Sequence, residues 1–182
     1  MSRSFDAIVI GGGQAGPFLA ARLAGAGRQV ALIERRHMGG TCVNDGCQPT
    51  KTLVASARVA WLARRAGDFG VVAGPVSVDM AAVKARKDKV VLASRQGLDD
   101  WMNSTPNLSV FRGSAAFVSP EAVEVNGEVL EARQFFLNTG ARSVVPDWAT
   151  GVPYLTNTSI LELDTLPAHL LIVGGSYIGL EF

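Results

Sequence analysis

The sequence predicts an α/β chain of three layers, in which a parallel sheet is joined by a small antiparallel β-meander and followed by the start of a second unit of the same kind. Three observations predict it. Near the N-terminus an apolar run ends in Gly11-Gly12-Gly13-Gln14-Ala15-Gly16, passes into a helical stretch, and meets a second apolar run closed by Glu34. Further on, Val123-Glu124-Val125 and Glu128-Val129-Leu130 flank Asn126-Gly127, a strong hairpin signal. From Leu170 an apolar run again meets small residues, Gly174-Gly175-Ser176-Tyr177-Ile178-Gly179.

Bulk properties narrow the classes. The 182 residues give room for one domain, or for one domain and the beginning of another. A composition of 48% hydrophobic and 18% charged residues is that of a globular protein. The formal charge of +1 gives no electrostatic case for nucleic acid or an anionic membrane. No apolar run approaches the roughly 20 residues of a membrane span, and Ala7-Ile8-Val9-Ile10 is too short for a signal peptide. A cytoplasmic location is expected by default.

Taken in order, Phe5–Ile10 reads as a buried strand. Phe18–Ala24 reads as a helix stopped by Gly25 and Gly27, and Val30–Ile33 as a second strand. Gly11-x-Gly13-x-x-Gly16 between strand and helix, with an acid 18 residues beyond the third glycine, is a dinucleotide fingerprint. Gly11 allows the tight turn, Gly13 lets backbone approach a pyrophosphate, and Gly16 lets helix and strand pack closely. The N–H groups at the helix start favour an anionic diphosphate, and Glu34 can accept from ribose hydroxyls. Arg35-Arg36-His37 reads first as a solvated turn, with Arg35 retained as an adenosine-side candidate.

Leu53, Ala57, Ala60 and Trp61 recur at helical spacing, with Trp61 expected in a core, and a glycine-rich loop follows from Asp68 to Pro75. A second helix is expected from Asp79, its N-cap, to Trp101-Met102. Its basic run Lys84-Arg86-Lys87-Lys89 reads as a solvated face. Leu108–Val118 reads as one strand, Gln134–Leu137 as another that stops at Asn138-Thr139-Gly140-Ala141, and Leu170–Val173 as a third. Residues 146–157, rich in turn formers, read as a connection between domains.

Both cysteines of the chain, Cys42 and Cys47, lie five positions apart, with four residues between them, just after the first βαβ unit. On a regular helix that spacing puts their Cα atoms about 9 Å apart, whereas a disulfide needs about 4.4–6.8 Å. They can pair only if the backbone between them leaves the helix, and Asn44-Asp45-Gly46 permits that. Pro49 fits the first turn of a helix that continues through Lys51. A redox-active pair is the reading favoured here. Two buried thiols are the alternative, and a metal site lacks further Cys or His ligands nearby.

Gly40-Thr41-Cys42-Val43-Asn44-x-Gly46-Cys47-x-Pro49-Thr50-Lys51 resembles the active-site signature of the class I pyridine nucleotide-disulfide oxidoreductases. That family includes dihydrolipoamide dehydrogenase, glutathione reductase and mercuric reductase. The resemblance implies a Rossmann-like FAD-binding domain over 1–150, without its returning C-terminal segment. It also implies a linker and the start of a Rossmann-like NAD(P)H-binding domain over 151–182. FAD would be held by Gly11, Gly13, Gln14, Ala15, Gly16, Glu34 and Arg35, and by Gly40, Thr41, Cys42 and Lys51. Ala115, from Gly113-x-Ala115-x-Phe117, would meet adenine, and Thr139-Gly140-Ala141 would close over the diphosphate side. NAD(P)H would be held by Gly174, Ser176, Tyr177, Ile178 and Gly179, serine replacing the usual middle glycine.

The implied chemistry passes hydride from NAD(P)H through FAD to a Cys42–Cys47 disulfide. Cys47 would face the flavin as the charge-transfer thiolate, Cys42 would be the interchange thiol, and Lys51 would lie near the flavin ring. Pro49-Thr50-Lys51 is closer to mercuric reductase than to glutathione reductase, with dihydrolipoamide the competing substrate. A disulfide, dithiol or metal-ion substrate and a homodimeric whole protein are therefore expected. On the family pattern the sequence corresponds to the first part of a longer chain. The rest of the nicotinamide domain and a dimerisation domain with its His-Glu pair would lie beyond it, and His169 does not match that histidine. The alternative expectation is a non-catalytic FAD-binding fragment.

Overall fold

A computed structural model describes residues 2–182. Packing divides it into two units, one of residues up to Asn44 together with Ala93–Arg142, the other of Asp45–Leu92 together with Ser143–Phe182.

In the first unit, β1 (Arg3–Phe5), β2 (Ala7–Ile10), α1 (Gly16–Gly25), β3 (Val30–Glu34) and α2 (Gly40–Asn44) are followed by the strands β4 (Leu108–Arg112), β5 (Ala115–Ser119), β6 (Ala122–Val125), β7 (Glu128–Ala132) and β8 (Phe135–Leu137). Strands β4, β3, β2 and β8 form a parallel sheet in that order. The second sheet runs β1-β7-β6-β5, an antiparallel meander with β1 added in parallel to β7.

Strands β2 and β3 are apolar almost throughout because both their faces are covered. Val9, Val30 and Leu32 point to one face and pack with Ala20 and Ala24 of α1 and with Met102. The alternating set Ile8, Ala31 and Ile33 points to the other, against Val123, Val125 and Leu130 of the meander. Helix, parallel sheet and meander are the three layers the sequence predicts. Each fully buried Ile, Leu or Val here contributes about 1.5–3 kcal/mol.

In the first unit two details differ from the sequence reading. The apolar run from Phe5 is broken at Asp6, whose carboxylate accepts the Gln29 N–H at 2.7 Å, so that β1 leaves for the other sheet. The stretch 108–118 is two strands in different sheets, not one. The chain turns between them at Gly113, where a Cβ would meet the Asn126 side chain at 2.6 Å. Asn126 and Gly127 form the expected hairpin turn, both at positive φ.

In the second unit, α3 (Cys47–Arg64) precedes a short turn at Ala66–Phe69 and the start of α4 (Met80–Ser104), whose residues from Ala93 onward belong to the first unit. Asp79 caps α4 as expected, accepting the Ala82 N–H at 2.9 Å. The basic run is not a purely solvated face. Lys87 is 2% exposed and pairs with Asp88 and Glu162, Lys84 pairs with the same two, and Arg86 donates to the Thr52 carbonyl. Trp61 is half exposed instead of core, with the Arg65 guanidinium 4.4 Å from its ring centre. Leu170–Val173 pairs with no strand and leads, through Gly174–Ser176, into the short helix α5 (Tyr177–Glu181). No helix among the described residues is long and apolar enough to cross a membrane.

Candidate functional site

The loop after β2 is closed to side chains at its two ends. Gly11 has φ of +111°, and a Cβ on it would lie 2.1 Å from the Asn138 carbonyl oxygen. A Cβ on Gly16 would lie 2.0 Å from the Gly11 carbonyl oxygen. Such distances are shorter than any real Cβ contact, so only glycine fits. Helix α1 then starts with Pro17 in its first turn, no capping side chain and no acid, which leaves its N-terminal N–H groups for an anion. Ala15 is the N-cap residue.

Glu34, 9% exposed, ends β3 beside this loop. One carboxylate oxygen accepts the Gly12 N–H at 2.6 Å and the other the Arg36 N–H, also at 2.6 Å. The acid fixes the loop, and each of its oxygens keeps a lone pair that can accept a further hydrogen bond. Arg35 is exposed beside it.

The segment carrying Cys42 rests directly on the glycine loop. The Gly39 N–H donates to the Gly12 carbonyl at 2.7 Å, and Gln14 Nε2 donates to the Gly39 carbonyl at 3.1 Å. A Cβ on Gly40 would stand 2.7 Å from Gly13 Cα, so two backbones meet there without side chains. Helix α2 follows, bearing exposed Thr41 and half-buried Cys42. The helix ends at Asn44 and the next begins at Cys47, with Gly46 at φ −145° and ψ −117° between them. The backbone therefore leaves the helix where the spacing of the cysteines requires it. Both are thiols here, and Cys47 is exposed at the N-terminal end of α3. One turn on, Lys51 forms an ion pair with Glu181 of α5.

Strand β8 delivers the remaining first-unit candidates. The Asn138 N–H donates to the Ile10 carbonyl at 2.8 Å, and Asn138 Nδ2 reaches the Gly11 carbonyl at 3.2 Å. That holds Thr139-Gly140-Ala141, all exposed, next to the glycine turn. The Gly113 N–H donates to the Glu34 carbonyl at 3.0 Å, which brings the start of β5 and Ala115 past the end of β3. The sites thus gather at the carboxyl ends of the parallel strands, where ligands of open α/β sheets bind. Sequence reasoning gave no role to Asn138, which stands at a strand end, or to Asn44, which stands within the cysteine signature. The fit to FAD is good on chain geometry: a side-chain-free cradle, an open helix start and a fixed acid.

In the second unit the same closure recurs. Gly174 has φ of +108°, and a Cβ on Gly179 would lie 2.4 Å from the Gly174 carbonyl oxygen, as Gly16 does with Gly11. Ser176 is the N-cap of α5, and Tyr177 is exposed, as is Ile178 at its edge. Among the described residues no group of three or more His, Cys, Asp or Glu side chains converges.

A parallel sheet is opened by a glycine turn, and a short cysteine-bearing helix is seated on that turn. Residues 5–182 match the pyridine nucleotide-disulphide oxidoreductase family, and the chain belongs to it. The family implies FAD and NAD(P)H as cofactors. A dihydrolipoyl dehydrogenase of Chlamydia muridarum is 38% identical over 192 aligned residues, covering all of this chain and 40% of that protein. A mercuric reductase of Lysinibacillus sphaericus is 36% identical, over 98% of this chain and 33% of its own. Among solved structures, the HOCl-induced flavoprotein disulfide reductase RclA from Escherichia coli superimposes with a TM-score of 0.82 at 37% identity, covering 97% of this chain and 38% of that one. Its Cu(II) complex gives 0.84 at 36% identity, covering 98% and 39%. The chain spans about two fifths of the length of the first of these curated relatives.

Proposed function

We propose that the chain forms the FAD-binding and redox-cysteine part of an NAD(P)H-dependent disulfide oxidoreductase. The observation that carries this is the seating of α2, with Cys42, on the dinucleotide loop through Gly39, Gly40 and Gln14. Bound FAD would supply the two-electron relay between nicotinamide and cysteines. The Cys42–Cys47 disulfide would take up two electrons and two protons to become a dithiol, the equivalent of one hydride from NAD(P)H and one proton from solvent. Cys42, half-buried on a helix held from both ends, is the thiol offered to substrate, and Cys47 is its partner. The substrate class is a disulfide, dithiol or thiol-binding metal ion, supported by dihydrolipoyl dehydrogenase and mercuric reductase relatives and by RclA, whose Cu(II) complex is known. The whole protein acts as a homodimer in this reading.

The test is oxidation of the reduced chain with a mild disulfide reagent, followed by peptide mass mapping. An intramolecular Cys42–Cys47 bond that dithiothreitol reverses is expected. Intermolecular disulfides alone, or irreversible oxidation of either sulfur, would overturn the proposal.

A further inference from the structure

Helix α2 is five residues long, too short to be stable by its own hydrogen bonds. It is held from its last residue. Asn44 Nδ2 donates both to the Met38 carbonyl, at 3.0 Å, and to the Gly40 carbonyl, at 2.7 Å. One amide NH2 group therefore spans Cys42 and ties both sides of the helix start together. An amide can turn end for end with little change of shape, exchanging its donor and acceptor. Turned over, Asn44 would place its oxygen against two carbonyl oxygens.

The group that forbids the turned state lies on α4. Arg95 Nε donates to Asn44 Oδ1, and a guanidinium has donors only. The reversed amide would bring NH2 against guanidinium, losing the third hydrogen bond as well as the first two. Arg95 is half-buried and stands 51 residues from Asn44, outside every motif of the chain.

We propose that Arg95 is a positioning residue for Cys42, acting through Asn44 to fix the helix that presents the thiol. This rests on the reading of Cys42 as the thiol that meets substrate. Arg95 sets how far that thiol is shielded through its hydrogen bond to Asn44.

The test compares Arg95→Leu and Arg95→Lys with the parent chain, alone and in an Asn44→Ala background. Iodoacetamide modifies the reduced chain, and the rates at Cys42 and Cys47 are read separately by peptide mass spectrometry. In Arg95→Leu the Cys42 rate relative to Cys47 rises about fivefold, the equivalent of one hydrogen bond of ~1 kcal/mol. Arg95→Lys, which keeps a donor, restores most of the difference. In the Asn44→Ala background, Arg95→Leu has no further effect. An unchanged ratio, a parallel rise at both cysteines, equal behaviour of the Leu and Lys variants, or an undiminished effect without Asn44 would overturn it. Because the readout needs neither cofactor nor turnover, it fails separately from the redox proposal, which depends on disulfide formation.

Discussion

At Gly16 a single methyl group would collide with the Gly11 carbonyl oxygen, whereas at Gly25, at the other end of the same helix, a Cβ meets nothing within 4 Å. The two glycines therefore give opposite predictions. Gly16→Ala forces backbone apart, costs about 1–3 kcal/mol or more, and abolishes FAD retention. Gly25→Ala leaves FAD binding intact and stabilises the helix by up to about 1 kcal/mol. Thermal unfolding and FAD fluorescence titration read both. Glu34→Gln keeps the shape but turns one of the two acceptors into an NH2 group facing a backbone N–H. That costs about 1–3 kcal/mol, and the same titration shows weaker FAD binding. The glycines and Glu34 were legible because local geometry demands those residue types at that spacing. Asn138 and the Arg95 contact of Asn44 were not, because they work through hydrogen bonds between residues 127 and 51 positions apart.

Helix α4 shows the same limit at the scale of an element. Its N-cap was readable from Asp79, but Lys84 and Lys87 of its basic run were misread as solvated, because Glu162 comes from a distant turn. Hydrogen bonds from Lys84 lead in holding the Glu162 carboxyl below its ordinary range. At Asp88, burial pushes the carboxyl up but hydrogen bonds from Lys84 and Lys87 outweigh it and hold it low. The hydrogen bond to Asp88 leads in pushing Lys84 up. For the carboxylates the folded form is the weaker base, so the cluster's support is present at neutral pH and is lost as pH falls below about 4. For Lys84 the sign is reversed, and its share is lost only above the ordinary lysine range. Amide protection over 159–162 and the start of α4, measured against the rate of an unprotected amide at the same pH, is expected to fall at acid pH before global unfolding. Lys87→Met costs only about 1 kcal/mol, since the methionine fills the buried stem's place while Asp88 and Glu162, 39% and 62% exposed, rehydrate. Denaturant titration at low and high salt checks this, with the difference shrinking in salt.

For the whole molecule, the three layers follow from alternation. Val9, Val30 and Leu32 against Ile8, Ala31 and Ile33 fill two opposite faces, so β2 and β3 had to be central strands. Less was legible where chain direction changes without an apolar signal. Asp6 and Gly113 stand where the chain changes sheet, Asp6 holding the Gln29 N–H and Gly113 leaving no room for a Cβ beside Asn126. Leu170–Val173 has a strand's composition, but a strand requires a paired neighbour, and there it pairs with none. The site itself was readable as a set of motifs, and the fold adds how the first glycine loop and the Cys42 helix are bound to each other. The measurement that tests this most directly is the visible spectrum of the purified chain loaded with FAD, before and after anaerobic dithiothreitol. A retained flavin band that gains a long-wavelength shoulder, kept in Cys42→Ser and lost in Cys47→Ser, is the predicted result. A chain that keeps no flavin, or a shoulder that survives in Cys47→Ser, would contradict it.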